Sequence, residues 1–380
     1  DGTDVAGVYY NPATMTLHPG TNIQAGFVGI GLNLDYAGKD GSSENGRYKS
    51  QAIPHGYITH QINDSTWVGL SMTVPFGMGT DYNNDWGYAN RGISATILTF
   101  DFNPSIAWKV NEKFSIGAGV SLQYASADLK QRVGLASTEM GAITAESEID
   151  ADSWAWGFNV GVMWSPVENL RFGASYRSKV KHDAEGDLRI KDPRLMTAES
   201  GKWGSSLPPE AVAGNPMLAA VLGSHEGYAT VTAPAWAMAS VAWDVNDLLS
   251  LYASFRWTDW SSFDELNITS DMPGVGSTVT NKWKDTYLGS LGADLRLTDW
   301  WTLRGGIAYE SSPISDPSYR TAIIPDADRW WFAIGSSTAC TNATSMRLKA
   351  ATKRSAASAS STPTSSARSC STASKYALRA

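Results

Sequence analysis

Between Ser153 and Pro166 the chain reads SWAWGFNVGVMWSP. Trp154, Trp156, Phe158, Val160, Val162 and Trp164 fall on alternate positions, separated by Ser153, Ala155, Gly157, Asn159, Gly161 and Met163. Period two with one apolar face predicts a strand. Ten residues separate Trp154 from Trp164, about 33 Å at roughly 3.3 Å per residue. Tilted by about 40°, that projects to about 25 Å, the height of the apolar band between the aromatic girdles of a membrane-spanning barrel. The same alternation recurs at 113–124, 249–258 and 301–310, and more weakly near 22–36, 53–62, 66–75, 93–109, 170–177, 235–243, 287–297 and 330–336. That makes about twelve recognisable strands.

The connections sort by length. Short polar turns at 63–65, 110–113, 165–169, 244–247 and 297–300 alternate with long connections near 37–52, 76–92, 125–152, 178–234, 258–286 and 310–329. An up-and-down antiparallel barrel with short turns on one side and long loops on the other predicts this alternation; a sandwich or propeller does not. Within the longest loop, Pro208, Pro209 and Glu210 read as a helix start. Val212, Met217, Leu218, Val221 and Leu222 make the segment greasy although it lies outside the membrane band. It either packs over the barrel mouth or offers a landing surface for an apolar ligand.

Composition adds 16 Trp, 15 Tyr and 35 Gly with a slightly negative mean hydropathy. Lumen-facing positions dilute lipid-facing ones in a barrel, so this fits, though a soluble all-β protein shares it. No apolar run approaches the ~18 residues of a membrane helix. A net charge of −7 gives no basic footprint for nucleic acid. After Ser337 the chain turns Ser/Ala/Thr-rich, with no Trp, Phe, Asp or Glu. It carries seven Lys/Arg and both cysteines, Cys340 and Cys370. Without those seven, 23 basic residues face 37 acidic ones, a body charge of −14. Residues 338–380 therefore read either as a disordered basic tail or, the preferred expectation, as a stretch translated after loss of frame. The chain opens at Asp1 without Met, so a mature or truncated form is expected.

Catalytic signals are poor. His18, His55, His60, His182 and His225 show no HExxH spacing, and no GxSxG elbow or Walker loop is present. No catalytic residue, metal ligand or cofactor is assigned.

Six collinear stretches resemble the FadL/TodX family of outer-membrane transporters of long-chain fatty acids and hydrophobic compounds. They are YYNPATM (9–15), VPFGMGTDY (74–82), SYRSKVKHDAEGD (175–187), WTDWSSFDEL (257–266), KWKDTYLGSLGADLRLTDWWTLRGGIAYESSP (282–313) and YRTAIIPDADRWW (319–331). The resemblance runs from about residue 5 to 337. It implies a 14-stranded transmembrane β-barrel in a bacterial outer membrane, holding an N-terminal hatch of which residues 1–20 are a remnant and 21–337 the barrel. Asn11, Pro12 and Ala13 match the hatch motif. Ligand capture is implied between the third and fourth long loops, here 125–152 and 178–234. Lateral release is implied where the third strand kinks, at Pro75, Phe76 and Gly77; proline lacks a ladder donor there and glycine weakens pairing. Lys130, Arg132, Lys282 and Lys284 stand nearest the family's cationic positions and are the candidates for holding a fatty-acid carboxylate.

The resemblance further implies a monomer, not an enzyme, that works passively. Its partners would be a long-chain fatty acid or other hydrophobic small molecule, outer-membrane lipid, lipopolysaccharide and the barrel-assembly machinery. Aromatic or alkane hydrocarbon is the alternative cargo. A general porin and an outer-membrane lipid hydrolase are the remaining rivals.

Overall fold

The computed structural model describes residue 2 and residues 4–32, 35–37, 43–47, 49–197, 203–271, 276–316, 319–321, 324–339, 369–371 and 375–379. The first two strands are Thr21–Leu32 and Lys49–Asn63. The third is Thr66–Thr73 with its continuation Gly77–Asp81, and the fourth, fifth and sixth are Ser94–Asn111, Phe114–Thr138 and Gly141–Val167. The seventh is Leu170–Arg177 continued by Val180–Met196, and the eighth Gly223–Ala233 continued by Trp236–Asp244. Leu249–Thr258 with Glu265–Ser270 forms the ninth, and Gly276–Thr280 with Thr286–Thr298 the tenth. Trp301–Glu310 and Arg329–Ala339 are the eleventh and twelfth.

Each strand pairs antiparallel with the next, as the alternation of turn lengths predicts. The outward positions are apolar and exposed: Trp156 is 73 % and Trp164 50 % accessible, while inward Asn159 is 2 %. A face that buries its polar residues and exposes its tryptophans suits hydrocarbon outside and a filled interior. No helix among the described residues is long and apolar enough to cross a membrane.

The long connections contain more structure than the sequence suggests. The expected loop at 125–152 is a β-hairpin, since the fifth and sixth strands stay paired from Phe114↔Trp164 to Thr138↔Gly141, with a single register shift between Gly134 and Ala136. Beyond the girdle the exposed face changes from apolar to charged, with Asp128, Asp150 and Asp152 outward, so the alternation no longer looks like a membrane strand. The 178–234 connection likewise holds two strands, which pair Val180↔Ala233 to Ile190↔Gly223, around short helices at Pro209–Ala213 and Pro216–Val221. The single greasy helix read from the sequence is thus two helices, broken at Gly214 and Asn215, where Asn215 Oδ1 caps the second through Leu218 N at 3.1 Å.

Inside the wall sit a short helix, Gly7–Tyr10, and a 3₁₀ segment, Pro12–Leu17. Met15 and Val8 pack with Trp67 and Ala107, and Trp67 Nε1 donates to the His18 carbonyl at 3.1 Å. In the 338–380 tail, short segments at 369–371 and 375–379 pair with the twelfth strand. Cys340, most of the remaining tail and the frame-loss expectation lie outside the described residues.

Candidate functional site

The hatch is fastened by the motif the sequence singled out. Asn11 Nδ2 donates to the Val162 carbonyl at 2.9 Å, and its Oδ1 accepts from Ala13 N at 3.0 Å. The wall admits this contact because it carries glycine there. A Cβ on Gly161 would stand 2.1 Å from Asn11 Oδ1, and one on Gly117 2.6 Å from Ala13 N.

Beside it runs a buried polar chain that none of the sequence motifs singles out. Arg177 Nη2 donates to the Tyr9 carbonyl at 2.9 Å, and its Nη1 donates to Ser121 Oγ at 2.7 Å and lies 3.5 Å from Asp101. The guanidinium lies 4.3 Å over the Tyr9 ring. From Asp101 the chain continues through Gln123 (3.2 Å) to His182 (2.9 Å) and Ser153 (2.9 Å). The available signal was parity: Asp101 sits between outward Phe100 and Phe102, and Arg177 follows outward Tyr176. An inward charge on a membrane-crossing strand marks a function or a partner.

Pro75, Phe76 and Gly77 lie at a true break in the third strand. Thr73 faces Asp101 and Gly77 faces Leu98, so four steps on the third strand (73 to 77) meet three on the fourth (101 to 98). This is a one-residue bulge. Thr99 holds it in place: Phe76 N donates to Thr99 Oγ1 at 3.0 Å, and both Thr99 Oγ1 and Thr99 N donate to the Phe76 carbonyl at 3.0 Å.

On the other side of the break a window opens. The second strand pairs with the third only up to Gly56↔Met72, while Lys49–His55 pair with the first strand alone among the described residues. Seven residues at about 3.3 Å each give it a height of about 23 Å. Its upper end is closed by Arg47 N donating to the Asp81 carbonyl at 2.8 Å.

Above the hatch, the inner faces of the extended strands enclose an apolar cluster. It includes Leu129, Ile149, Leu188, Phe263, Leu266 and Trp283, with Val221 and Leu222 of the loop packed against it. Leu218 is buried, Val212 is half-buried, and Met217 is 69 % accessible and faces away. Trp260 joins the cluster to the window: its ring lies 5.1 Å from Trp283 and 5.7 Å from Phe76.

The four cations divide into two pairs. Lys130 binds Glu146 at 2.9 Å, and Arg132, fully buried, binds Asp192 at 2.8 Å. Burial alone would raise the Asp192 carboxyl, but hydrogen bonds from Arg132 and Arg194 outweigh it and hold the group below its ordinary range. Lys282 and Lys284 are exposed and form no ion pair among the described residues; Lys282 Nζ lies 5.5 Å over the Tyr319 ring. The first pair is thus engaged by carboxylates of the protein and the second is not. No cluster of metal-ligating side chains occurs among the described residues.

A sequence profile of the family described as "Outer membrane protein transport protein (OMPP1/FadL/TodX)" matches residues 1–377. The long-chain fatty acid transport protein of Salmonella typhi is 28 % identical over 354 residues, covering 87 % of this chain and 77 % of that one. Among solved structures, a Pseudomonas aeruginosa FadL homologue superposes with a TM-score of 0.74 at 25 % identity, covering 89 % of this chain and 82 % of that one. The P. putida toluene transporter TodX does so at 0.69 and 18 %, covering 90 % and 85 %, a likeness of fold. The chain belongs to the OMPP1/FadL/TodX family of outer-membrane transport proteins, and its strands are those of an outer-membrane β-barrel.

Proposed function

We propose that the protein carries long-chain fatty acids or related hydrophobic molecules passively across the outer membrane, and that it is a transporter rather than an enzyme. Cargo is captured at the extracellular extension, passes through the apolar cluster and leaves sideways through the window beside the third strand. The observation that carries this reading is the continuity of apolar surface from Val221 and Leu222 through Trp283 and Trp260 to Phe76 at the window. The name of the Salmonella relative supports fatty acid as cargo.

Sideways release suits such cargo, because a molecule delivered into hydrocarbon never loses its apolar burial to water. The hatch, fixed to the wall by Asn11 and Arg177, argues against an open porin for hydrophilic solutes. His182, 2 % accessible, already shares both ring nitrogens with Ser153 and Gln123, which argues against a free general base for lipid hydrolysis. The molecule acts as a monomer, placed by the barrel-assembly machinery between phospholipid and lipopolysaccharide, with its outward tryptophans at the interfaces.

Replacing Pro75 and Gly77 with valine restores strand-forming residues at the break. The double variant is expected to lose uptake of a labelled fatty acid while still binding it at the cell surface. Undiminished uptake would remove the side exit from the mechanism.

Hydrocarbon cargo is the second reading. The four-ring group of Phe76, Trp260, Phe263 and Trp283 favours it, as does the engagement of Lys130 and Arg132 with carboxylates of the protein itself. Displacement of a fluorescent fatty acid by oleate, and separately by toluene, distinguishes the two.

A further inference from the structure

Asn281 is fully buried, and neither its Nδ2 nor its Oδ1 has a hydrogen-bond partner among the described residues. Other amides of the barrel interior are engaged at one end at least: Asn11 with Val162, Asn103 with Asn159, whose own Nδ2 is left over, and Gln123 with Asp101 and His182. A buried amide with both ends unmet costs free energy that a leucine in its place would not. Native folds keep such groups where something else meets them.

The surroundings point to what that is. Asn281 stands in the sequence between Val279 and Trp283, both part of the apolar cluster. Its backbone is fixed, since Asn281 N and Lys282 N both donate to the Asp264 carbonyl, at 2.7 and 3.1 Å. Lys282 next to it holds a left-handed φ of 44°, an unfavourable conformation for a lysine. Lys282 and Lys284 leave their charges exposed at this point of the rim.

We propose that Asn281 is the polar contact for the head group of an amphiphilic cargo, and that it takes a carboxylic acid in its neutral form. The assignment rests on the transport reading above. Along one edge an amide sets an N–H donor beside its carbonyl acceptor, and a neutral carboxyl presents the complementary pair, so two hydrogen bonds close between them. A carboxylate has only acceptors, would set negative charge against Oδ1, and is disfavoured among buried tryptophans. Lys282 and Lys284 draw the anion to the rim from outside. The acid takes its proton from solvent as it leaves water, and its chain occupies the apolar cluster by displacing side chains now packed there. The neutral molecule is then in the form that enters a bilayer.

The test uses the full-length refolded protein and its Asn281→Leu variant. Binding of oleate and of toluene is measured from pH 5 to 8, together with the urea midpoint. The variant should unfold at higher urea, bind oleate about tenfold more weakly and bind toluene as the wild type does. Its oleate binding should also lose the pH dependence of the wild type, which weakens as pH rises. A lower urea midpoint with both cargoes weakened alike would make Asn281 a structural amide and overturn the assignment. Unchanged oleate binding would overturn it too. A wild type that binds neither cargo would instead remove the transport reading, and this contact with it.

Discussion

Arg177 reaches across 168 residues of sequence to donate a hydrogen bond to the Tyr9 carbonyl at 2.9 Å, while its guanidinium faces Asp101. One side chain thus neutralises a buried carboxylate and ties the hatch to the wall. Replacing it by methionine leaves Asp101, which is fully buried, without its counter-ion. The expected loss is about 3–5 kcal/mol of stability, read as a drop in urea midpoint. A steady ion current in planar bilayers should accompany it as the hatch loosens. Combining Arg177→Met with Asp101→Asn should recover much of the stability but not the seal.

Gly161 and Asn11 form a complementary pair. Gly161→Ala drives a methyl into Asn11 Oδ1 and should cost about 1–3 kcal/mol. Asn11→Ala should cost about as much by orphaning Ala13 N and the Val162 carbonyl. The double variant should be less damaged than the sum, because the shorter side chain makes room for the methyl. A double-mutant cycle on urea midpoints measures this, and strict additivity would contradict the packing described.

Thr99 tests how the third strand is held. Its hydroxyl gives Phe76 N an acceptor in place of a backbone carbonyl. Thr99→Val keeps the shape and removes the bond; uptake should fall about fivefold with surface binding unchanged. Thr99→Ser should behave as wild type. A structural defect without bearing on passage would lower surface binding and uptake together.

The extracellular ion pairs predict a response to acid. The Asp192 carboxyl is held below its ordinary value of 3.8. Its stabilising contribution is therefore fully present above that value and is lost as pH falls through the lower, folded-state value. Limited proteolysis within 125–152 and 180–196 should be flat from pH 8 to 5 and accelerate only below about pH 4. Asp192→Asn should be more susceptible at neutral pH and show less of the acid step.

The barrel was legible because its outward face obeys a single rule. From Trp154 to Trp164 every second side chain meets hydrocarbon, and no local exception interrupts the count. The break at Pro75 was legible for the same reason, as a residue that cannot donate to a ladder. The hairpin at 125–152 was not, because its outward residues meet water and its alternation runs between Asp128 and Leu129 rather than between serine and tryptophan. Nor did the sequence bring Trp260 to Phe76, or Arg177 to Tyr9. Those neighbours are set by curvature and register, which no single strand encodes. Lys130 and Arg132 carried the right charge for a carboxylate, but the carboxylates that bind them, Glu146 and Asp192, arrive from the next two strands.

The window between Lys49–His55 and Gly77–Asp81 has a sill at Gly56 and a lintel at Arg47, and among the described residues no backbone hydrogen bond crosses it in between. A closed hoop of strands resists widening along its whole circumference. A hoop with an opening framed in this way yields at the frame, where bending two edges outward breaks no ladder bond. On the proposed side exit, cargo girth would be limited by the compliance of a rim rather than by the bore of a tube. A straight chain and a flat ring could then share one doorway without either being measured against a fixed hole.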